Sequence, residues 1–183
     1  HGDFGILQID AHCDLRNSYE GFVYSHASIM YNALREIPEL KKLVQIGVRD
    51  YSESEHEFMK QNKDRIRTYF DSEIKVRQYE GETFKQITDE IIEQLPDKIY
   101  ISFDIDGLDP KLCPNTGTPV QGGFQTEQVF YIFNKIKQSG KQIIGFDLSE
   151  VSTSETCWDA NVSARVLFKL CNLLIAANPV KHV

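Results

Sequence analysis

The sequence lacks the features that mark several specialised classes of protein. Its 183 residues include four cysteines, which form neither a CxxC pair nor the dense framework of a small secreted scaffold: Cys13, Cys113, Cys157 and Cys171. No apolar run approaches the ~18 residues that a membrane span needs, so we expect no membrane partner. The first residues form no signal peptide, because no basic region precedes a sustained apolar stretch. These absences indicate a cytoplasmic protein with reduced thiols.

Basic residues are also fewer than acidic residues. The chain carries 20 Lys and Arg residues against 27 Asp and Glu residues, which gives a formal net charge of −7. A protein that binds nucleic acid needs a basic surface for the phosphates, so this balance argues against such a partner. The balance fits a cationic substrate, although many proteins of other functions are equally acidic.

No repeat, low-complexity tract or Ser/Gly-rich linker divides the chain. With 41% hydrophobic and 26% charged residues, the composition is typical of one globular domain, and we assign residues 1–183 to it. The chain does not begin with Met, and an apolar run opens at position 5 without a preceding turn or cap. We therefore expect the sequence to be a fragment of a longer chain.

Short apolar runs alternate with segments of helical periodicity. Runs rich in β-branched and aromatic residues predict five strands, at residues 5–10, 43–48, 74–79, 99–104 and 143–148. A capping box at Ser52 and Glu55 predicts a helix to about residue 62. Apolar spacing predicts further helices over residues 84–95, 129–139 and 162–174. This alternation indicates an α/β fold with a mainly parallel central sheet flanked by helices.

Acidic residues gather where predicted strands end. Asp10, His12 and Asp14 stand at alternate positions at the end of the first strand. Asp104 and Asp106 do the same at the fourth. Alternate residues of an extended chain share a side, and parallel sheets bind ligands at the carboxyl ends of their strands. Four carboxylates and an imidazole in one crevice would repel each other without a cation, so the pattern predicts divalent metal, with Mn²⁺ favoured over Zn²⁺ by the oxygen-rich set.

Each of these residues taken alone has an ordinary structural explanation. A single Asp at a strand end is usually a turn or helix-cap residue, and residues 104–110 have a composition that is common in turns. A lone His12 is more often a hydrogen-bonded core residue. Cys13 points away from the alternating set, so we expect it to serve in packing. The metal interpretation therefore depends on all five residues together.

Five segments resemble, in order, the motifs of the ureohydrolase family of arginases and agmatinases. They are residues 10–16 (DAHCDLR), 24–28 (YSHAS), 102–110 (SFDIDGLDP), 116–119 (TGTP) with the glycine pair at 122–123, and 145–151 (GFDLSEV). That family hydrolyses guanidino groups to urea and an amine at a binuclear manganese centre. The resemblance implies an arginase-like three-layer α/β sandwich, a hydrolase acting on the C–N bonds of linear amidines, and two Mn²⁺ ions.

The resemblance also implies roles for individual residues. Five would be metal ligands: Asp10, His12, Asp14, Asp104 and Asp106. His26 would transfer a proton, and Glu150 would bind the substrate guanidinium. The chemistry agrees, because two metals can generate a bridging hydroxide, a carboxylate can accept two parallel guanidinium N–H bonds, and a histidine can protonate the leaving amine. Without the resemblance, His26 is a surface or capping residue and Glu150 an exposed strand-end acid.

One family motif is absent. No Gly-Gly-Asp/Glu-His segment precedes Asp10, and the histidine of that motif completes one metal site in the family. The resemblance therefore implies that the amino-terminal part of the fold is missing and that one metal ligand lies outside this chain. A truncated ureohydrolase scaffold without catalytic activity is the alternative that this absence leaves open.

The motifs favour agmatine as the substrate. Residues 14–16 and 24–28 look more like agmatinases than arginases, which implies hydrolysis of agmatine to putrescine and urea. Arginine, guanidinobutyrate, guanidinopropionate and formiminoglutamate are alternatives. The family commonly forms trimers or hexamers, so we expect a homo-oligomer. A binuclear phosphoesterase would share the acidic cluster but would need basic phosphate-binding residues, of which only Arg16 is close to the motifs.

Overall fold

A parallel five-stranded sheet forms the centre of the computed structural model, which describes residues 2–179. The strands are β1 (Phe4–Ile9), β2 (Leu40–Val48), β3 (Ile66–Phe70), β4 (Lys98–Asp104) and β5 (Gln142–Ser149). Their order is β3-β2-β1-β4-β5, and every neighbouring pair is parallel. The inner strands are buried on both faces, which explains why their sequences are nearly continuous in apolar residues.

Six α-helices flank the sheet within residues 2–179. They are α1 (Ile29–Glu36), α2 (Glu53–Gln61), α3 (Asp71–Tyr79), α4 (Phe84–Glu93), α5 (Thr126–Ser139) and α6 (Trp158–Ala177). One hydrophobic core contains Ile6 of β1 with Leu34 of α1 and Met59 of α2. The other contains Leu7 of β1 and apolar residues of α3, α4, α5 and α6. Successive residues of β1 thus enter different cores, which confirms the predicted three-layer α/β fold.

Residues 74–79 are helical, so the prediction of a strand there is wrong. The third strand is β3, and α3 follows it directly. Ile74 and Val76 alternate with basic residues as in a half-buried strand, but Ile74 is buried whereas Val76 is 51% exposed. Two acidic residues in the first turn of α3, Asp71 and Glu73, stabilise the helix through its N-terminal dipole. The alternation is too short to distinguish the two-residue period of a strand from the 3.6-residue period of a helix.

Other helix limits agree with the sequence signals. The Ser52 side chain accepts the Glu55 N–H and the Glu55 carboxylate accepts the Ser52 N–H, which confirms the capping box that opens α2. α5 ends at Ser139 and is capped by Gly140, whose φ of 75° lies in the left-handed region that glycine adopts readily. α4 ends at Glu93, shortly before Pro96. Local residue chemistry therefore defines these ends.

The long helix α6 corrects the expectation that no apolar segment reaches the length of a membrane span. Its 20 residues are long and apolar enough to cross a membrane by length and composition. Core helices of soluble proteins meet the same two criteria, and Val166 and Leu170 are buried in the core that lies against the sheet. The other side of α6 exposes Phe168 and Ile175. Length and composition alone therefore do not assign α6 to a membrane.

The four cysteines are all free and all lie within residues 2–179. Cys13 and Cys113 are buried, whereas Cys157 and Cys171 are exposed. Cys13 belongs to the core that α1 and α2 share with the sheet. Its predicted packing role is therefore confirmed.

Candidate metal centre and active site

One cavity of about 380 Å³ lies at the carboxyl edge of the sheet. All of the predicted site residues line it: Asp10, His12, Asp14, His26, Asp104, Asp106 and Glu150. They come from the ends of β1, β4 and β5 and from the segment that joins β1 to α1. A parallel sheet brings such strand ends to one edge, which is where ligand sites of open α/β folds lie.

The neighbouring strands β1 and β4 bring Asp10 and Asp104 out of the sheet side by side. The Asp104 carboxylate accepts the Asp106 N–H at 2.9 Å and thereby caps a short 3₁₀ helix, Ile105–Gly107. This turn directs Asp106 back towards β1, where its Oδ1 accepts the Ala11 N–H at 3.1 Å. The Asp106 side chain thus joins two adjacent strand ends.

The tightest group of potential metal ligands consists of Asp10, His12 and Asp106. One ligand atom from each lies within 4.8 Å of the others. His12 Nδ1 is 3.1 Å from Asp106 Oδ2 and 3.4 Å from Asp10 Oδ1. The same Asp10 Oδ1 accepts the His12 N–H at 2.6 Å. An imidazole and two carboxylates at this spacing suit a divalent cation.

Asp14 enters the cavity by a turn and not by strand alternation. β1 ends at Ile9, so the pleat of the strand does not extend to this residue. Asp14 has a φ of 54°, in the left-handed region that Asp tolerates better than most side chains. Its carbonyl accepts the N–H groups of Met30 and Tyr31 at 3.1 and 3.2 Å. The start of α1 therefore holds this turn in place.

Burial and mutual repulsion disfavour the charged forms of three of the carboxylates. Burial and the charges of Asp10 and Asp106 raise the pKa of Asp104 to about 9. Burial raises the pKa of Asp10 and of Asp14 as well, and neighbouring carboxylates add to both effects. A cation bound among these carboxylates would therefore favour their charged forms.

His12 and Asp106 differ from the other members because they pair with each other. Burial alone would lower the pKa of His12, but its hydrogen bonds to Asp10 and Asp106 raise it to about 10. Burial also opposes the charge of Asp106, yet the hydrogen bond and charge of His12 hold the Asp106 pKa below its usual value. Because a divalent cation can replace the His12 proton among these carboxylates, the residues fit the predicted metal centre.

His26 and Glu150 lie on the cavity wall and make no hydrogen bond to the candidate ligands in the described part of the chain. His26 begins the 3₁₀ helix His26–Ser28, and its exposed ring meets the Tyr19 ring edge-on with the centroids 5.4 Å apart. Glu150 follows β5 with a φ of 56°, and its carbonyl accepts the Thr116 hydroxyl at 3.0 Å. Both side chains remain accessible to a molecule in the cavity.

The loop between β4 and α5 forms another part of the wall through Thr118, Pro119 and Val120. The Thr118 hydroxyl donates to Asp106 Oδ2 at 3.4 Å. Arg49, which directly follows β2, ties this loop to the site through its guanidinium. Its acceptors, at 2.6 to 3.2 Å, are the carbonyl oxygens of Gly47, Asp106, Leu108 and Val120. Sequence reasoning missed Arg49, although a strand end at the same edge was an available signal.

Arg16 is the permanent cation among the side chains that line the cavity in the described chain. Its Nε lies 3.6 Å from Glu55 Oε2, and its guanidinium lies over the Tyr19 ring at 5.0 Å. The exposed carboxylate of Asp50 lines the same cavity. Sequence reasoning assigned no role to Glu55, Tyr19 or Asp50 in the site. Their nearness to it depends on contacts between distant segments.

Comparison with known proteins agrees with the fold. The model of the arginase family matches residues 1–174. The chain belongs to the arginase family. An N(1)-aminopropylagmatine ureohydrolase from Thermus thermophilus is 37% identical to this arginase-family chain over 152 residues, which cover 82% of the chain and 47% of that protein. The chain spans about half the length of the curated relatives it matches.

Solved structures of arginase-family proteins share this architecture. The agmatine ureohydrolase of Thermoplasma volcanium has a TM-score of 0.72 and 27% identity, covering 96% of this chain and 55% of that chain. The proclavaminate amidino hydrolase from Streptomyces clavuligerus has a TM-score of 0.79 and 24% identity, covering 97% and 57%. The second likeness concerns the fold alone. The metal and substrate roles of individual residues stay predictions.

Proposed function

We propose that the protein containing this arginase-family chain hydrolyses a guanidino compound to urea and an amine. The observation that carries the proposal is the convergence of four buried carboxylates and one imidazole on a single open cavity. A guanidinium carbon is a weak electrophile, so its hydrolysis near neutral pH requires a strongly activated water. Divalent metal ions provide that activation, and an acidic cavity attracts both the ions and a cationic substrate.

In this proposal, two Mn²⁺ ions bind to five residues of the chain and to a further ligand outside it. The five are Asp10, His12, Asp14, Asp104 and Asp106. When bound, the ions lower the pKa of a coordinated water, which can then act as a nucleophile near neutral pH. The predominance of oxygen ligands favours Mn²⁺.

Glu150 and His26 would act on the substrate itself. The Glu150 carboxylate can accept two parallel N–H bonds from a planar guanidinium and so hold its carbon in one place. The exposed His26 can donate a proton to the leaving nitrogen, which then departs as a neutral amine. The position of both side chains on the wall of the same cavity supports these roles.

Agmatine is the substrate that we propose, with putrescine as the amine product. One relative is named for N(1)-aminopropylagmatine and one solved neighbour for agmatine, which supports this choice. The Asp50 carboxylate could bind the terminal ammonium of agmatine. Arg16 would instead favour a carboxylate at that end, as in arginine, 4-guanidinobutyrate or formiminoglutamate. These compounds are therefore the necessary comparison in any assay.

The test uses the full-length protein that contains this chain, freed of metal with a chelator and reloaded with Mn²⁺. We expect about two ions per chain and the release of urea from agmatine only in the reloaded sample. Faster urea release from a carboxylate-bearing guanidine would overturn agmatine but keep the hydrolase. A metal-loaded protein that releases neither urea from the guanidino compounds nor formamide from formiminoglutamate would overturn the hydrolase and favour the non-catalytic scaffold.

A His26→Asn variant tests the proton transfer. We expect kcat to fall about 100-fold, since general acid catalysis contributes on that order. The Mn²⁺ content should not change, because His26 is not among the proposed ligands. His56→Gln is the matched control, because His56 stacks on Tyr51 and does not line the cavity. Equal kcat values for the two variants would remove His26 from the mechanism.

A further inference from the structure

A row of polar side chains crosses the sheet next to the candidate metal centre. Each strand contributes one member at matching register: Thr68 of β3, Gln45 of β2, Gln8 of β1, Ser102 of β4 and Asp147 of β5. The first four are at most 7% exposed. Buried polar groups at positions that an aliphatic residue could occupy lower stability unless they are hydrogen-bonded, so the row calls for an explanation.

On β3, β2 and β1 the row is a continuous chain of hydrogen bonds. The Thr68 hydroxyl donates to Gln45 Oε1 at 2.8 Å. Gln45 Nε2 donates to Gln8 Oε1 at 2.7 Å and to the Cys13 carbonyl at 2.7 Å. Because the Gln8 oxygen accepts from Gln45, the amide of Gln8 has one orientation, with its nitrogen directed away from β2.

The nitrogen of Gln8 reaches two candidate metal ligands. Gln8 Nε2 donates to Asp10 Oδ2 at 2.8 Å and to Asp14 Oδ2 at 3.2 Å. Asp10 lies two residues beyond Gln8, on the same face of the chain, whereas Asp14 comes from the turn beyond it. One neutral amide thus bridges two carboxylates that would otherwise repel each other, without supplying a charge that would compete with a cation.

We propose that Gln8 is a positioning residue of the metal centre, which sets the orientation of the Asp10 and Asp14 carboxylates and is itself oriented by Gln45 and Thr68. This inference rests on the metal site of the proposed function. It explains why two amides and a hydroxyl occupy buried strand positions. Groups that hydrogen-bond to metal ligands contribute to metal affinity by fixing the ligands before the ion arrives.

The other half of the row provides a matched control. The Ser102 hydroxyl donates to Asp147 Oδ1 at 3.2 Å and has no hydrogen bond to the candidate ligands within residues 2–179. Ser102 pairs with Gln8 in the register of β1 and β4 and is buried to a similar extent. A Ser102→Ala variant therefore removes a buried polar group from the same layer without touching Asp10 or Asp14.

The test measures the Kd of Mn²⁺ for the full-length protein by titration, with the signal of free Mn²⁺ in electron paramagnetic resonance as the readout. We expect Gln8→Leu to weaken binding about 10- to 100-fold. Gln45→Leu should weaken binding less, because it removes the bonds to the Gln8 oxygen and the Cys13 carbonyl but leaves the Gln8 amide able to donate to Asp10 and Asp14. The double variant should bind no more weakly than Gln8→Leu alone, since Gln45 acts through Gln8. Ser102→Ala should leave the Kd unchanged, whatever its effect on the melting temperature.

Two outcomes would overturn the inference. One is a Gln8→Leu variant with native Mn²⁺ affinity. The other is an equal loss of affinity in Gln8→Leu and Ser102→Ala, which would indicate a general structural effect. If Gln8→Leu does not fold, the Gln45→Leu and Thr68→Val variants decide by the same comparison with Ser102→Ala. A protein that binds Mn²⁺ but releases no urea would contradict the proposed function. The Kd comparison would still test whether Gln8 contributes to Mn²⁺ binding.

Discussion

Two clusters of charged side chains in this molecule are built in opposite ways. At the carboxyl edge of the sheet, the carboxylates of Asp10, Asp14 and Asp104 lie close to other carboxylates, whose charges raise their pKa values. On the outer side of α3 and α4, acids alternate with guanidinium groups. Arg77 Nη2 lies 2.6 Å from both Glu82 Oε1 and Glu90 Oε2.

The pKa shifts of the two clusters have opposite signs. Burial and neighbouring charges raise the pKa of Asp104 to about 9. Burial alone would also raise the pKa of Glu90, but hydrogen bonds from Arg77 and Tyr69 hold it below its usual value. The outer cluster neutralises itself and serves the fold. In the inner cluster, burial and neighbouring carboxylates keep acidic groups from ionising, which lowers stability until a cation favours their charged forms.

The strongest test of this contrast exchanges two acids of the metal centre and one acid of the outer cluster for their amides. Asp104→Asn and Asp106→Asn in the Mn²⁺-loaded full-length protein should lower urea release about 1,000-fold, because metal activation accounts for several kcal/mol of the barrier. Metal content should fall in parallel. Glu82→Gln, in the outer cluster, should leave both quantities unchanged. Unchanged urea release in both aspartate variants would show that these residues are not metal ligands.

Glu55 sharpens the comparison, because it lines the acidic cavity but has the partners of a structural acid. Its carboxylate accepts the N–H groups of Leu15 at 3.1 Å and Ser52 at 2.8 Å, and it is 3% exposed. We expect Glu55→Gln to lower the free energy of unfolding by about 2 kcal/mol, the cost of weakening buried, charge-assisted hydrogen bonds. Denaturant unfolding measures this. The exposed Glu57 of α2 is the control, and equal losses for the two glutamine variants would contradict the assignment.

The two clusters should respond in opposite directions when no metal is present. At pH 7 in the presence of a chelator, Asp104→Asn should raise the free energy of unfolding by about 1 kcal/mol, because it removes a carboxyl that burial and its neighbours keep from ionising. Arg77→Ala should lower it by about 1 kcal/mol, since two close ion pairs are lost at a partly exposed site. Thermal and denaturant unfolding of both variants check the signs. A lower free energy of unfolding in both variants would contradict the proposed difference between the two clusters.

The smallest expected effect is a change in the acid sensitivity of the fold. The folded-state pKa of Glu90 lies below its ordinary value of 4.5. Its contribution to stability is therefore present above that pH and is lost as the pH falls through the lowered pKa. Glu90→Gln should flatten the decrease of stability below pH 4.5. An unchanged slope in denaturant unfolding would show that the outer cluster does not contribute in this way.

Much of the candidate site could be predicted from residue chemistry alone. Asp10, His12 and Asp106 each have an ordinary structural explanation, but their grouping at two strand ends predicts a shared site, and they converge as expected. The α/β class followed from apolar runs and helical spacing. The prediction of a strand at residues 74–79 was wrong because two alternating apolar residues fit the period of a helix as well as that of a strand. Only tertiary packing distinguishes the buried Ile74 from the exposed Val76.

The positioning residues could not be found in the same way. Gln8 and Gln45 interrupt apolar runs, but nothing local says that the two amides meet. They do so because parallel pairing places β1 beside β2 in one register. Arg49 likewise reaches Val120 only because the loop after β4 folds over the end of β2.

The sequence by itself determined the α/β class, the ends of several helices and the identity of the acidic residues at the strand ends. These depend on backbone sterics, capping and apolar spacing, which act over a few neighbouring residues. Only the tertiary structure decided that His12 pairs with Asp106, that Gln8 bridges Asp10 and Asp14, and that Asp104 resists ionisation. Hydrogen-bond partners and pKa values depend on distances and burial between strands, and the order and register of the sheet set those distances.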